Sequence, residues 1–286
     1  MTVPYLQPVS WLFVGGVDES ELKAVPSCGT DVAIQDLEDF TPPNLRVKAR
    51  RFCADLMNTW RTAGIKAAVR INPLHTDGLN DLDAALAAQP DYILLPKVSD
   101  PGEVLELVNA ITSRESGSAI GDGSVQVVPN IETARGVMQT YDIAMSSERI
   151  AACLVAAEDL ANDLGAERGR DGIELAYARQ RFLLECRAAD VLAIDCPYTW
   201  TDIEGLEADI RFARRLGYMA KSTVTSSHVE PLNRLMRPSP EQIISARKIV
   251  AAFETAQQQG DGRVLVDGSL IELPIYLNAR RLLDRQ

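Results

Sequence analysis

Short apolar runs alternate with amphipathic stretches along most of this chain, and five of the runs end in polar or charged residues. They are VAIQDLED (Asp36, Glu38, Asp39), AVRIN (Arg70, Asn72), YILLPK (Lys97), VVPNIE (Glu132) and LVAAED (Glu158, Asp159). An apolar run this short is a strand buried on both faces. The pattern predicts strands over 11–15, 31–37, 67–72, 92–97, 125–131, 151–157, 190–196 and 217–224. Helices are predicted between them. One covers 44–63. A second covers 172–189, where Leu175, Ala178, Phe182 and Cys186 recur at helical spacing. A third, 202–216, opens on Asp202 as N-cap and closes at Gly217.

Strands alternating with helices predict a parallel sheet. Eight strands in about 225 residues match a TIM (β/α)8 barrel, with a doubly wound open sheet as the alternative. No GxGxxG follows the first strand, which counts against a dinucleotide fold. A charge at the carboxyl end of a core strand is expected to emerge at the sheet rim, where such folds place their chemistry. The barrel is expected to occupy residues 1–237 and a C-terminal helical extension residues 238–286. In that extension a helix begins near Pro238, with Ser239 as cap and Pro240 in its first turn, and runs to Gln259. A Gly-rich turn, an extended segment and a last helix over 274–284 follow. Residues 114–124 read as a flexible surface loop.

The chain has 286 residues and a formal net charge of −11. Such a surface repels nucleic acid and anionic membranes, so neither is an expected partner, and an anionic substrate needs a local cluster of Arg, Lys or metal. Five cysteines without a CxxC pair fit a reduced cytoplasmic protein and read as small core residues. The N-terminus shows no signal-peptide pattern, and no apolar stretch is long enough to cross a bilayer. Two histidines, His75 and His228, argue against a multi-histidine zinc site or a His-based triad, and both are expected in loops.

Glu132 and Asp159 are the leading metal candidates, because two carboxylates at neighbouring strand ends form a hard oxygen site suited to Mg²⁺. Each also precedes a helical stretch, so helix capping is the competing account. Arg70 offers a planar fork to a carboxylate or enolate oxygen, or else an ion pair to Asp36 or Glu38. Lys97 is a structural ion-pair partner or a Schiff-base lysine. Asp36, Glu38 and Asp39 are expected in part to hold Arg70, Lys97 or a metal-bound water. Ser and Thr in STVTSS (222–227) follow the last predicted strand and offer hydroxyls there.

At these residues the chain resembles the HpcH/HpaI aldolase and citrate lyase beta-subunit family. The resemblance is carried by DVAIQDLEDFTPPNLRVKAR, AVRINPLHTDGLNDL, DYILLPKVSDPGEV, VPNIETARGV, AAEDLANDLG, DVLAIDCPYTWTDIEGL, RRLGYMAK, RPSPEQIISARKIV and LVDGSLIELP, in that order. It implies a TIM barrel with an added C-terminal region, assembled as a homotrimer or hexamer, and Mg²⁺ (or Mn²⁺) on Glu132 and Asp159. It implies Arg70, Lys97 and Pro129 at the substrate, with Arg70, Asp36 and Glu38 in the catalytic group. Asp267 matches an acid that swings over a neighbouring subunit's site, where burial is expected to raise its pKa. The implied reaction is carbon–carbon cleavage or formation in a 3-hydroxyacyl-CoA thioester such as citryl-, citramalyl- or malyl-CoA. Aldol cleavage of a free 2-keto-4-hydroxy acid, thioester hydrolysis, and a beta subunit active only within a larger lyase complex stay open. The chain departs from the family pattern at FVGGVDES (Gly15, Asp18, Glu19), at Ala156 and at VTSS (Val224–Ser227), and the first and third of these leave CoA binding itself open.

Overall fold

The computed structural model describes residues 7–115 and 124–284. The first residues of the chain, on which the signal-peptide reading partly rests, and 116–123 of the expected surface loop lie outside them. Arg114 and Glu115, assigned to that loop from composition, instead complete a helix.

Eight parallel strands close into a barrel in sequence order, so the open-sheet alternative does not apply. They are β1 (Ser10–Gly15), β2 (Val32–Asp36), β3 (Lys66–Arg70), β4 (Tyr92–Leu95), β5 (Gln126–Ile131), β6 (Ala152–Val155), β7 (Leu192–Asp195) and β8 (Ala220–Thr223). Each predicted strand is present, with its ends within three residues of those expected. The helices of this unit are α1 (Glu19–Cys28), α2 (Arg46–Thr62), α3 (Leu79–Ala87), α4 (Pro101–Glu115), α5 (Ala134–Met138), α6 (Thr140–Ala144), α7 (Glu158–Asp163), α8 (Ala176–Ala188) and α9 (Ile203–Leu216). The predicted caps of α9 are in place. The Asp202 side chain accepts from Gly205 N–H at 2.8 Å, and Gly217 takes φ of +115°.

Side chains alternate across each strand. Trp11, Val32, Ile34, Ala68, Leu94, Val128, Leu154, Ile194 and Ala220 form one buried cluster inside the barrel. On β2, β3 and β5 the next inward positions, one step toward the carboxyl ends, are Asp36, Arg70 and Asn130. The mouth is therefore polar on the side of these strands, where the inward-facing series changes from apolar to polar.

The chain divides into two compact units, of which Val9–Asn233 is one. α10 (Val229–Met236) runs across the division. The second unit contains α11 (Pro240–Gln258), an antiparallel pair of β9 (Arg263–Val266) and β10 (Ser269–Glu272), and α12 (Leu273–Leu283). Ser239 and Gln242 form a reciprocal capping box, with Pro240 at the first helical position. Phe253, Val266 and Ile271 are its core, and Phe253 stacks on Tyr276 at 4.7 Å. The expected extended segment is a hairpin. Asp267 (φ +49°) and Gly268 (φ +79°) form its two-residue turn, which requires left-handed backbone at both positions.

Among the described residues no helix is long and apolar enough to cross a membrane, and all five cysteines are free.

Candidate active site

Register brings Asp36 of β2 level with Arg70 of β3. Asp36 takes one edge of the guanidinium: Arg70 Nε donates to Oδ1 at 2.9 Å, and Nη2 donates to Oδ2. The same carboxylate accepts from the backbone N–H groups of Glu38 at 2.8 Å and Phe40 at 3.2 Å. The loop after β2 is thus folded around Asp36, whose two oxygens are both occupied. The rings of Phe13 and Phe40 lie 5.0 and 5.6 Å from the Arg70 guanidinium. Its other nitrogen, Nη1, faces Glu38 Oε2 at 3.4 Å and Glu132 Oε1 at 4.0 Å. Burial opposes the charge on Arg70, but Asp36 and the two glutamates outweigh it and keep the side chain protonated. The expected ion pair therefore forms, and it leaves one edge of the fork turned to the mouth.

Glu132 follows β5 and is 1% exposed. It does not cap the next helix: Thr133 is the N-cap of α5, accepting from Gly136 N–H at 3.0 Å. Neither Glu132 oxygen has a hydrogen-bond partner. Burial pushes its carboxyl up to about 8; Arg70 pulls it down, while Asp159 and Glu38 push it further up. Asp159 is half-buried in the first turn of α7, so the helix-start account still applies to it, and its charge acts on both Glu132 and Lys97. Its neighbour Glu158 is held elsewhere, by Arg168 Nε at 3.2 Å and Thr199 Oγ1 at 2.7 Å.

A buried carboxylate with two unpartnered oxygens is costly unless something positive meets it. Glu132 with Asp159 is a hard, all-oxygen donor pair, which fits a divalent cation that keeps water and takes substrate oxygens. Among the described residues no three His, Cys, Asp or Glu side chains converge to hold a metal ion.

Glu38 links the two cations of the mouth. Lys97 Nζ donates to its Oε1 at 2.6 Å and lies 3.5 Å from Asp39. Burial raises the Glu38 pKa against the pull of Arg70 and Lys97. Burial also works to lower that of Lys97, but the Glu38 hydrogen bond reverses it and keeps the ammonium charged. A protonated, paired lysine is a poor Schiff-base nucleophile, so the ion-pair reading of Lys97 is the one its surroundings favour. Its backbone φ of +57° is uncommon outside glycine.

The remaining expectations divide. Asp267 is exposed in the hairpin turn, paired with Lys248 of α11, so in the single chain it is not buried. Pro129 is buried in β5, one residue from inward-facing Val128, and so belongs to the outer face of the strand. His75 is exposed, but His228 is fully buried in the turn Ser226–His228, where burial lowers its pKa. Ser222 and Thr223 are part of β8 rather than a following loop, and Ser222 Oγ donates to the Asp195 carbonyl at 2.9 Å. In FVGGVDES, Asp18 caps α1 through Glu21 N–H at 3.0 Å.

The rule that strand-end charges must reach the rim fails at Asp195 and Lys221, both 0% exposed. They face outward from β7 and β8 and are paired in place. Lys221 Nζ meets Asp195 at 2.7 Å and Asp209 of α9 at 2.6 Å, and Arg179 of α8 donates to both acids. The sequence reading missed this network, although DVLAIDC and YMAK carry the same signal of an apolar run ending in charge. It also passed over Phe13 and Phe40 beside Arg70, and Asn130 within VVPNIE.

A family model for HpcH/HpaI aldolase/citrate lyase matches residues 9–226. The citrate lyase subunit beta of Leuconostoc mesenteroides is 32% identical over 95% of this chain and 91% of its own length. A (3S)-malyl-CoA thioesterase of Cereibacter sphaeroides is 30% identical over 96% of this chain and 93% of its own. Among solved structures, Mycobacterium tuberculosis CitE in complex with magnesium, acetoacetate and coenzyme A aligns over 99% of both chains, with 27% identity and a TM-score of 0.76.

Proposed function

We propose that this chain, which belongs to the HpcH/HpaI aldolase/citrate lyase family, is a Mg²⁺-dependent carbon–carbon lyase acting on a 3-hydroxyacyl-CoA thioester of the citryl, citramalyl or malyl type. The observation that carries this is the buried Glu132 carboxylate, without a hydrogen bond, within the field of Asp159 and 4.0 Å from Arg70 Nη1. The magnesium-bound relative supports the choice of ion.

Glu132 and Asp159 would hold the metal, which would supply Lewis-acid polarisation of substrate oxygens. Arg70 Nη1 binds the substrate carboxylate or the developing enolate oxygen. Asp36 and the two phenyl rings keep the guanidinium from swinging, so the donor is already aimed. Asp36 is a positioning residue, its oxygens being committed to Arg70 and the loop. Glu38 holds Lys97 by a hydrogen bond and lies 3.4 Å from Arg70 Nη1, so it orients both cations of the mouth. In the cleavage direction the hydroxyl gives its proton to a base or to solvent at the mouth, and its carbon becomes a carbonyl. The electron pair of the breaking carbon–carbon bond passes to the thioester, giving an enolate that is protonated at carbon. We assign that proton transfer to Asp267 of an adjacent subunit in a trimer or hexamer, where cover by the neighbour supplies the burial it lacks in the single chain.

The thioesterase relative favours a second reading, in which water attacks the thioester in the same mouth. Product analysis separates the two. Citramalyl-CoA cleaved by a lyase yields acetyl-CoA and pyruvate in equal amounts, and a thioesterase yields free CoA and citramalate. Pyruvate from a free 2-keto-4-hydroxy acid, with CoA thioesters untouched, supports the aldolase alternative. Glu132→Ala is expected to abolish whichever activity is found, and unchanged turnover in that variant removes the metal assignment.

A further inference from the structure

Asn130 is 1% exposed, and neither its Oδ1 nor its Nδ2 has a partner in the protein. Its carbonyl accepts from Val98 N–H at 3.0 Å, and it lies in register with Leu154 of β6. Two facts place the side chain inside the barrel. Leu154, its register partner, belongs to the inner cluster, as does Val128 two residues earlier. Glu132, two residues later on the same face, is at the mouth beside Arg70. The Asn130 amide therefore lies in the floor of the mouth. A buried amide without partners costs about 1–3 kcal/mol, and leucine has nearly the same shape without that cost. An amide at this position is explained by a partner that comes from outside the chain.

We propose that Asn130 is a substrate-contacting residue that recognises the oxygen that is a hydroxyl before cleavage and an oxo group after it. An amide suits both states, since Oδ1 accepts from the hydroxyl and Nδ2 donates to the carbonyl. Arg70 can donate to either oxygen but cannot accept from the hydroxyl, and an ionised Glu132 can accept from the hydroxyl but cannot donate to the oxo group, so neither offers both functions. This inference rests on the lyase reading above, because that reaction is the one that interconverts the two oxygen types and leaves a 2-oxo acid.

The test is calorimetric binding of pyruvate, which carries the oxo oxygen, and of acetate, which lacks it, both with Mg²⁺ present. Wild type is compared with Asn130→Leu and Asn130→Ala. Both variants are expected to bind pyruvate about tenfold more weakly, the value of one or two lost hydrogen bonds. Their acetate and Mg²⁺ affinities stay within about twofold of wild type, the difference that leaves no hydrogen bond to account for. The leucine variant without ligand melts no lower than wild type, and the alanine variant gives an independent reading should leucine disturb folding. Pyruvate affinity unchanged in either folded variant overturns the assignment and leaves Asn130 as the partner of a buried water. Equal weakening of pyruvate and acetate overturns it as well, pointing to general distortion. Failure of wild type itself to bind pyruvate with Mg²⁺ defeats the lyase reading, and the Asn130 assignment falls with it.

Discussion

Glu132 sets the chemistry of the mouth through one physical fact: its carboxyl is buried without a hydrogen bond. Burial raises its pKa from 4.5 to about 8. The sign follows from linkage. Between those values the folded chain holds a proton that the unfolded chain has lost, so metal-free stability is present below 4.5 and is lost as pH rises through about 8, by about 1.4 kcal/mol per pH unit. Thermal melts of metal-free protein across that window should show the decline, and Glu132→Gln should flatten it. Magnesium must displace the same proton. Its apparent affinity should therefore rise about tenfold per pH unit up to about 8 and level off above it, which titrations one pH unit apart will register. Arg70 acts by shape as well as charge, because one edge of its fork binds Asp36 while Nη1 faces the glutamates of the mouth. Arg70→Lys keeps the charge and loses the fork. It should cost about 3–4 kcal/mol of transition-state binding, read as a fall in kcat/KM of at least a hundredfold with the melting curve little changed.

At the scale of elements, what could be read from the sequence follows from what a strand or helix records locally. Apolar runs and caps are local signals, so all eight strands, the Asp202 and Ser239 caps and the closing Gly217 were legible. Partnership is not local. The sequence shows that VVPNIE ends in an acid, and only the barrel shows that Thr133 rather than Glu132 caps the helix. It shows Glu158 and Asp159 side by side, and only the fold sends one to Arg168 and leaves the other acting on Glu132. Asp195 and Lys221 were misjudged for the same reason: a strand-end charge escapes the rim when the facing helices supply opposite charges, as α8 and α9 do with Arg179 and Asp209. Such a network fixes how two helices seat on the barrel wall. Lys221→Met strands Asp195 and Asp209 with one fewer cation between them, and chemical denaturation should report a loss of about 3–5 kcal/mol. A loss under about 1 kcal/mol would show that the network contributes little.

For the whole molecule, the −11 charge sets a boundary condition. An anionic substrate approaches a repelling surface and finds positive charge concentrated at Arg70, Lys97 and the bound metal, so catalytic efficiency should depend on ionic strength. The hairpin bearing Asp267 poses the larger question, since an Asp–Gly pair is what its two-residue turn requires whatever else the acid does. Subunit complementation decides between turn former and acid supplied in trans. Asp267→Asn and Glu132→Gln, each inactive alone, should regain activity when co-assembled, because some mouths then pair an intact Glu132 with an intact Asp267 from the neighbour. If mixing restores nothing, Asp267 does not serve a partner's site.

The proposed chemistry depends on a cation held by Glu132 and Asp159. Isothermal titration of Mg²⁺ into the intact protein in the presence of pyruvate tests it most directly. One ion per chain should bind in wild type, and the heat should vanish in Glu132→Gln and in Asp159→Asn. Saturable binding that survives both substitutions, or no binding in wild type at all, contradicts it.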